Sequence, residues 1–201
     1  KAGLGVSPII SVAYCYSEIT GVGFGDMTFV EYALFVLVEM ALHTIASRRA
    51  APDKRPLRVT LALDALQLPL SLVFTRFLNL FSARLPDFSG GSFAAQLVCL
   101  LLALTLTGIG AAMSLDMRLI PNPGDGIVQA IADFTGRSTG LTKNCFDLLN
   151  ITITIVSSLL LRGRLIGVGL GTVIAVIAVG RVIALFNHLF RAPLVRACGL
   201  D

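Results

Sequence analysis

Five segments of the chain are each long and apolar enough to cross a lipid bilayer. A transmembrane helix needs about 20 apolar residues, because it rises ~1.5 Å per residue through a hydrocarbon core of about 30 Å. The 201-residue chain has 55% hydrophobic and 14% charged residues, with a net charge of +4 spread over the loops. This composition excludes a disordered protein. The sequence therefore predicts an all-α, polytopic membrane helical bundle that contacts the lipid bilayer and binds no nucleic acid. The five segments cover residues 28–47, 58–81, 93–115, 143–162 and 166–190.

Two further segments, 8–20 and 123–135, carry helix signals but are too short to cross. Each has thirteen residues, which make about 20 Å of helix. Each begins with a favoured N-cap and N1 pair, Ser7-Pro8 and Asn122-Pro123, and each ends at Thr-Gly. We therefore expect both segments to enter the bilayer without crossing it.

The two short segments are copies of one another with a constant offset of 115. The offset aligns Pro8 with Pro123, Glu18 with Asp133, Thr20 with Thr135, Gly21 with Gly136 and Gly25 with Gly140. This duplication predicts two repeats in one membrane domain, 1–92 and 93–201, each with three spanning helices and a short re-entrant helix. Because a spanning helix precedes only the second copy, we expect the first spanning helix of the first repeat to be missing from this chain.

An odd number of crossings in each repeat inverts the second repeat relative to the first. Five basic residues crowd the loop 48–58, which the positive-inside rule places in the cytoplasm. Alternation from that loop puts further basic residues on the same side and leaves Arg84, Arg162 and Arg164 on the other. The residues expected on the cytoplasmic side are Arg118, Arg137, Lys143, Arg191 and Arg196.

Polar residues inside the apolar segments form stripes at helical spacing. Ionisable groups at the centre of a membrane helix cost about 2.5–3.5 kcal/mol each, so we expect the stripes to turn inward. For Glu39, Asp64 and Asp147 two interpretations stay open: a functional role, or structural bonding between helices in which Arg181 pairs with Asp147 or Asp64. His43 and His188 lie near helix ends and are expected at the interface, so no metal site is predicted. The stripes are Glu31, Glu39 and His43; Asp64, Gln67 and Ser71; and Asp147, Asn150, Thr154 and Ser158.

Two local motifs are similar to functional motifs of other classes of membrane protein. The run Thr-Gly-Val-Gly-Phe-Gly-Asp at 20–26 resembles a potassium-channel filter, but Gly21 separates the threonine from the valine and the second copy does not repeat the run. Residues 23–26 contain the GxGD of intramembrane aspartyl proteases, but no second aspartate signature accompanies it. We predict a glycine-rich turn followed by a helix-start carboxylate at Asp26, no enzymatic activity and no cofactor.

Gly-Val-Ser-Pro at 5–8, a short helix ending in Thr-Gly, and Gly25 are repeated as Asn-Pro-Gly-Asp-Gly at 122–126, Thr-Gly and Gly140. This pattern resembles the YitT/YczE-like bacterial integral membrane proteins over nearly the whole chain. The resemblance implies a multi-pass protein of the cell (inner) membrane with no settled activity, sometimes suspected of exporting small molecules. This chain departs from a symmetric pattern at Asp125, whose counterpart in the first copy is Ile10.

Inverted repeats with discontinuous helices are the architecture of secondary transporters, in which half-helix N-termini meet near the midplane and offer free N–H groups. We therefore predict a secondary transporter or exporter of an unidentified small molecule, for which a homo-oligomer is one option. The alternatives are a substrate-binding subunit of a multi-component importer and a non-transporting scaffold, and more remotely an ion channel or an intramembrane aspartyl protease. The candidate substrate- or ion-binding residues are Ser7, Pro8, Asn122, Pro123, Asp125, Glu39, Asp64, Gln67, Asp147, Asn150 and Arg181.

Single cysteines placed at Ala50 and Ser89 test the charge argument. In a cysteine-free version of the protein, an impermeant thiol reagent should label Ala50→Cys from the cytoplasmic side and Ser89→Cys from the opposite side. The reason is the contrast between the basic loop 48–58 and the sparsely charged segment 82–92. Labelling in intact cells and in inverted vesicles measures this, and labelling of both positions from one side would contradict the predicted topology.

Overall fold

The computed structural model describes residues 2–49, 56–116 and 120–197, which form seven α-helices and no strand. The predicted all-α fold is thereby confirmed. Ala50, Lys54, Arg55 and Arg118, which entered the topology argument, lie outside the described residues. A 3-10 turn at Pro8–Ile10 leads into the first helix. The helices are α1 (Ser11–Thr20), α2 (Phe24–Arg49), α3 (Leu57–Arg84), α4 (Phe93–Asp116), α5 (Pro123–Thr135), α6 (Thr139–Arg162) and α7 (Leu170–Ala197).

Five of the helices, α2, α3, α4, α6 and α7, are long and apolar enough to cross a membrane. The burial pattern is the reverse of that in a water-soluble protein: all the buried residues of α3 and α6 are polar, whereas Leu106 and Leu160 are 70% and 80% exposed. Apolar side chains outside and polar side chains inside are typical of a bundle solvated by lipid. The protein is therefore a multi-pass membrane protein whose polar stripes turn inward, as predicted.

The helix boundaries preserve the offset of the duplication. The turn and α1 together cover Pro8–Thr20, and α5 covers Pro123–Thr135. Each short helix ends at a glycine in the left-handed conformation, Gly21 at φ 77° and Gly136 at φ 65°, a backbone geometry that terminates a helix. The next helices begin at Phe24 and Thr139, again 115 residues apart. The proline and glycine signals therefore give the short helical segment and the turn after it the same lengths in both repeats.

The first short segment enters and leaves the bundle at one end. Residues 2–6 approach the turn that follows α6, where the Val6 N–H donates to the Gly167 carbonyl at 2.9 Å. The chain then turns back along α1, whose last turn lies beside the end of α6, since Arg162 donates to the Ile19 carbonyl at 2.8 Å. α7 begins at Leu170 and not at the predicted start, 166. The turn between α6 and α7 continues past 166 because Gly163 and Gly167 have positive φ.

The second short helix points in the opposite direction. α5 runs parallel to α2, because Gly126 lies against Glu39 and Asp133 lies close to His43. α1 instead folds back antiparallel on α2 after the short turn at 21–23. The two short helices therefore enter the bundle from opposite ends, as inverted repeats require.

α4 and α7 form a parallel pair beside this centre. Leu100 and Leu104 pack against Ala175, and the backbone at Gly108 lies close to Val182. α3, by contrast, packs antiparallel along α2. The third helices of the two repeats therefore have different partners in the described structure.

Two glycines that the duplication aligns give a matched test of the packing at the start of α2. The Gly25 N–H donates to Asn79 Oδ1 at 2.8 Å, and a Cβ at Gly25 would clash with the Thr75 carbonyl, whereas a Cβ at Gly140 would meet nothing within 4 Å. Gly25→Ala should destabilise the protein by about 1–3 kcal/mol because the backbone carbonyl cannot move aside easily. Gly140→Ala should be neutral or stabilising by up to ~1 kcal/mol. Unfolding in detergent measures both variants, and equal effects would contradict this packing.

Candidate functional site

Four polar side chains meet between the antiparallel helices α2 and α3. Glu39 and His43 are four residues apart on α2, and Asp64 and Gln67 are three apart on α3, so each pair shares one helix face. His43 Nδ1 lies 2.8 Å from Asp64 Oδ2, and Gln67 Nε2 donates to Glu39 Oε2 at 3.0 Å. Glu39, Asp64 and Gln67 are all buried, whereas His43 is half-buried. We call these four residues the α2–α3 cluster.

The first turn of α5 covers the α2–α3 cluster. A Cβ at Gly126 would lie 2.7 Å from Glu39 Oε2 and 3.0 Å from both Glu39 Oε1 and Gln67 Oε1. Only a residue without a side chain leaves room for the helix at this distance. α5 is also buried over seven of its thirteen residues, so it is a core element of the bundle and not a cap on its surface.

The same contact occurs in the other half with different chemistry. The 115-residue offset relates Gly126 to Ser11 and Glu39 to Thr154. Ser11 Oγ and Thr154 Oγ1 lie 2.8 Å apart, and both residues are fully buried. Each short helix therefore packs its first turn against the middle of the spanning helix of the opposite half. The contact is made by neutral hydroxyls in one half and by a carboxylate in the other.

A second set of polar groups lies where α5, α6 and α2 meet. Lys143 Nζ lies 3.7 Å from Asp147 Oδ2, while the other Asp147 oxygen is buried and has no hydrogen-bond partner among the described residues. Burial raises the pKa of the Asp125 carboxyl above its usual range, and the nearby Lys143 ammonium partly opposes this shift. Tyr32 of α2 lies beside Asn122. We call these five residues the α5–α6 cluster.

The N-terminus of α5 does not offer free N–H groups, so this part of the sequence prediction is wrong. Asn122 Oδ1 accepts from the Gly124 N–H at 3.0 Å. The Asn122 carbonyl accepts from the N–H groups of Asp125 and Gly126, each at 2.8 Å. Asn122 thus satisfies the first three donors that follow Pro123, which itself has none. Any ligand at this position must be recognised by side chains.

The family described as "Family of unknown function (DUF6198)" matches residues 1–188. The chain belongs to this family. No curated protein and no solved structure matches the chain. The matched range contains the whole first repeat, most of the second repeat and both polar clusters. Membership of the DUF6198 family does not establish the YitT/YczE-like resemblance.

The structure of this DUF6198 protein brings most of the predicted site residues into the two clusters. Glu39, Asp64 and Gln67 belong to the first, and Asn122, Asp125 and Asp147 to the second. Pro8 and Pro123 are buried at the two helix starts. Ser7 occupies the N-cap position, but its side chain makes no capping hydrogen bond. Asn150 is buried on α6, where its amide donates to the Phe146 carbonyl at 2.9 Å.

Arg181 is not brought to either cluster. It lies on an exposed face of α7, because the neighbouring Val182 faces α4. The expected pairing of Arg181 with Asp147 or Asp64 is therefore wrong. Lys143 pairs with Asp147 and His43 pairs with Asp64.

Three members of the clusters, His43, Lys143 and Tyr32, are not among the candidate binding residues that the sequence predicts. Helical spacing places His43 on one stripe with Glu39, but its position near a helix end predicts an interfacial residue. Lys143 precedes Asp147 by four residues, a spacing that predicts contact on one helix face but that competes with the interpretation of Lys143 as a loop charge. Tyr32 carries no such signal, because its neighbour Asn122 comes from the opposite repeat.

Asp26 occupies the position expected of a helix-start carboxylate. Its side chain pairs with Arg76 at 2.8 Å, and both groups are well exposed. A shallow pocket between the end of α5 and the start of α6, with Phe134, Arg137 and Thr142 in its wall, contains none of the predicted site residues.

The raised pKa of Asp125 predicts a pH-dependent stability difference. A carboxyl whose pKa is higher in the folded protein stabilises the fold as the pH falls through that value, and its charge is unfavourable above it. Asp125→Asn should therefore unfold at a higher temperature than the wild type at pH 8. The expected increase is about 2–4 °C for each kcal/mol that the substitution adds to the free energy of unfolding. The difference should shrink as the pH is lowered.

Asp133→Asn is the control, because Asp133 is an exposed carboxylate on the same helix. It should show no comparable trend. An Asp125→Asn variant that is less stable than the wild type at pH 8 would contradict the assignment of burial as the dominant effect.

Proposed function

We propose that this protein is a secondary transporter or exporter of a small polar molecule, related to the YitT/YczE-like proteins of the bacterial inner membrane. The observation that carries the proposal is the pair of short helices that enter from opposite ends and pack their first turns against the middle of the opposite half. Non-helical backbone inside a membrane protein is tolerated where it is covered by protein or lines a polar path. Secondary transporters use such breaks to build a binding site between their repeats.

The α5–α6 cluster is the proposed substrate contact. It combines an ammonium group, Lys143, with two carboxyl groups, Asp125 and Asp147, and with the polar side chains of Asn122 and Tyr32. Groups of both signs suit a small molecule with several polar substituents. One Asp147 oxygen is buried without a partner in the described structure, and such an acceptor costs about 1–3 kcal/mol until a donor reaches it. A donor group on the substrate would supply that hydrogen bond.

Movement of one part of the bundle against the rest would open the site alternately to the two sides. At its centre the bundle is held by the Ser11–Thr154 hydrogen bond and by the approach of Gly126 to Glu39. The proposed mechanism contains no catalytic step and no cofactor. A gradient of ions or a partner protein would drive it.

We propose that the end of the bundle that bears loop 48–58 faces the cytoplasm. Among the described residues, Arg48 and Arg58 flank this loop, and the connection from α5 to α6 places Arg137 and Lys143 at the same end. Arg84 and Arg162 end their helices at the other side. The larger number of basic residues at the first end follows the positive-inside rule.

A compound screen tests the transport proposal. Strains that lack or overproduce the protein are compared for growth and accumulation on a panel of metabolites and antibiotics, and we expect at least one compound to respond. For that compound, Asp125→Asn should reduce movement about tenfold or more, since a hydrogen bond to a charged group is worth about 1.5–3 kcal/mol. Protein abundance in the membrane is measured in parallel.

Asp133→Asn is again the matched control and should retain wild-type movement. Wild-type movement by Asp125→Asn would contradict the role of this carboxyl in binding. A panel on which no compound responds to deletion or overproduction would favour the scaffold alternative.

A further inference from the structure

We propose that Glu39, His43, Asp64 and Gln67, the α2–α3 cluster, form a binding site for a divalent transition-metal cation, with Zn²⁺ as the best match. One ligand atom from each of Glu39, His43 and Asp64 lies within 4.8 Å of the others. A zinc ion holds four nitrogen or oxygen ligands at about 2.0–2.2 Å in a tetrahedron, so its ligand atoms are roughly 3.4 Å apart. Side-chain movements of about 1 Å would therefore complete the coordination. The inference concerns binding alone and does not rest on transport.

An unpartnered oxygen points to a ligand at this position. Gln67 is 1% exposed, and its Oε1 has no hydrogen-bond partner in the described part of the chain. Gln67 Oε1 and both oxygens of Glu39 converge on the space beside Gly126, each within 3.0 Å of the point where a Cβ would stand. A buried acceptor without a partner costs about 1–3 kcal/mol. The Gln67 oxygen is thus available as the fourth ligand.

Charge balance also favours a divalent cation. The ion pairs that the structure shows for the α2–α3 cluster are limited to His43 with Asp64. Two carboxylates inside a lipid-solvated bundle need compensation. A divalent ion with a neutral imidazole and a neutral amide makes the whole site neutral.

The ligand types narrow the choice of metal. Imidazole nitrogen with carboxylate oxygen suits Zn²⁺ and, less tightly, Mn²⁺, whereas Ca²⁺ and Mg²⁺ prefer sites made of oxygen alone. Ligands from pairs of residues three or four apart on facing helices are the usual way in which helical bundles build metal sites.

His43 is the most exposed member of the α2–α3 cluster and lies toward the end of the bundle that bears loop 48–58. The His43 side chain is 25% exposed, whereas that of Asp64 is 5% exposed. The exposed Asp133 lies close enough to His43 to interact with it electrostatically. A cation arriving from the end that bears loop 48–58 would therefore meet a carboxylate first and His43 next.

Equilibrium dialysis with metal analysis tests the site directly. Purified protein in detergent, treated with a chelator and then dialysed against buffered Zn²⁺, should bind one ion per chain, and Mg²⁺ in excess should not displace it. The double variant Glu39→Gln, Asp64→Asn should lose at least about 100-fold in affinity, because even the outer partners of metal ligands are worth about 10–100-fold. Glu31→Gln, which removes a buried carboxyl of α2 outside both clusters, should bind as the wild type does.

A second readout keeps the test independent of how well the double variant folds. His43→Gln changes only the half-exposed ligand, and with Co²⁺ as the probe it should alter the visible absorption that nitrogen coordination produces. Zn²⁺ should also raise the unfolding temperature of the wild type and of Glu31→Gln but not that of the double variant. Absence of Zn²⁺ binding by the wild type, or equal binding by all variants, would overturn the proposal.

Discussion

The approach of α5 to the middle of α2 is the contact on which the interior of this protein depends. At Gly126 the absence of a side chain lets the first turn of a short helix lie directly on Glu39 and Gln67. Without this approach, two carboxylates and an amide would face lipid or an empty space, and either arrangement is costly. The related contact between Ser11 and Thr154 is a hydrogen bond that holds the other short helix against α6. Together these contacts hold the two halves around a polar centre.

Divergence at these equivalent positions places the ionisable groups around one of the two short helices, α5. A duplication starts with two identical sites, yet here one contact uses hydroxyl groups and the other uses ionisable groups. Asp125 likewise has Ile10 as its counterpart, and Asp147 has Tyr32. A symmetric scaffold has no need of this difference, whereas a protein that handles a ligand needs only one set of ligand-binding groups. The unequal halves therefore fit the two proposals made above.

Much of the fold followed from the sequence because its signals are local. Pro8 and Pro123 mark helix starts, Gly21 and Gly136 mark helix ends, and their spacing predicted both short helices with the boundaries that the structure has. Helical spacing also predicted which faces turn inward. Spacing cannot tell which inward faces meet, however, since that depends on contacts between distant segments. Arg181 was misplaced for this reason: its orientation is set by the packing of α7 on α4.

The segment at 2–6 has a mechanical consequence for the whole bundle. The Gly171 N–H donates to the Leu4 carbonyl at 2.6 Å, and a Cβ at Gly169 or Gly171 would stand 2.5 or 2.8 Å from that carbonyl oxygen. This hydrogen bond and close backbone contact hold the segment that leads into α1 against the start of α7. α7 is itself packed along α4. A force that displaces α1 is therefore transmitted to helices of the other repeat. The boundary of the gene duplication is therefore not a boundary of packing, because backbone hydrogen bonds join the two halves across it.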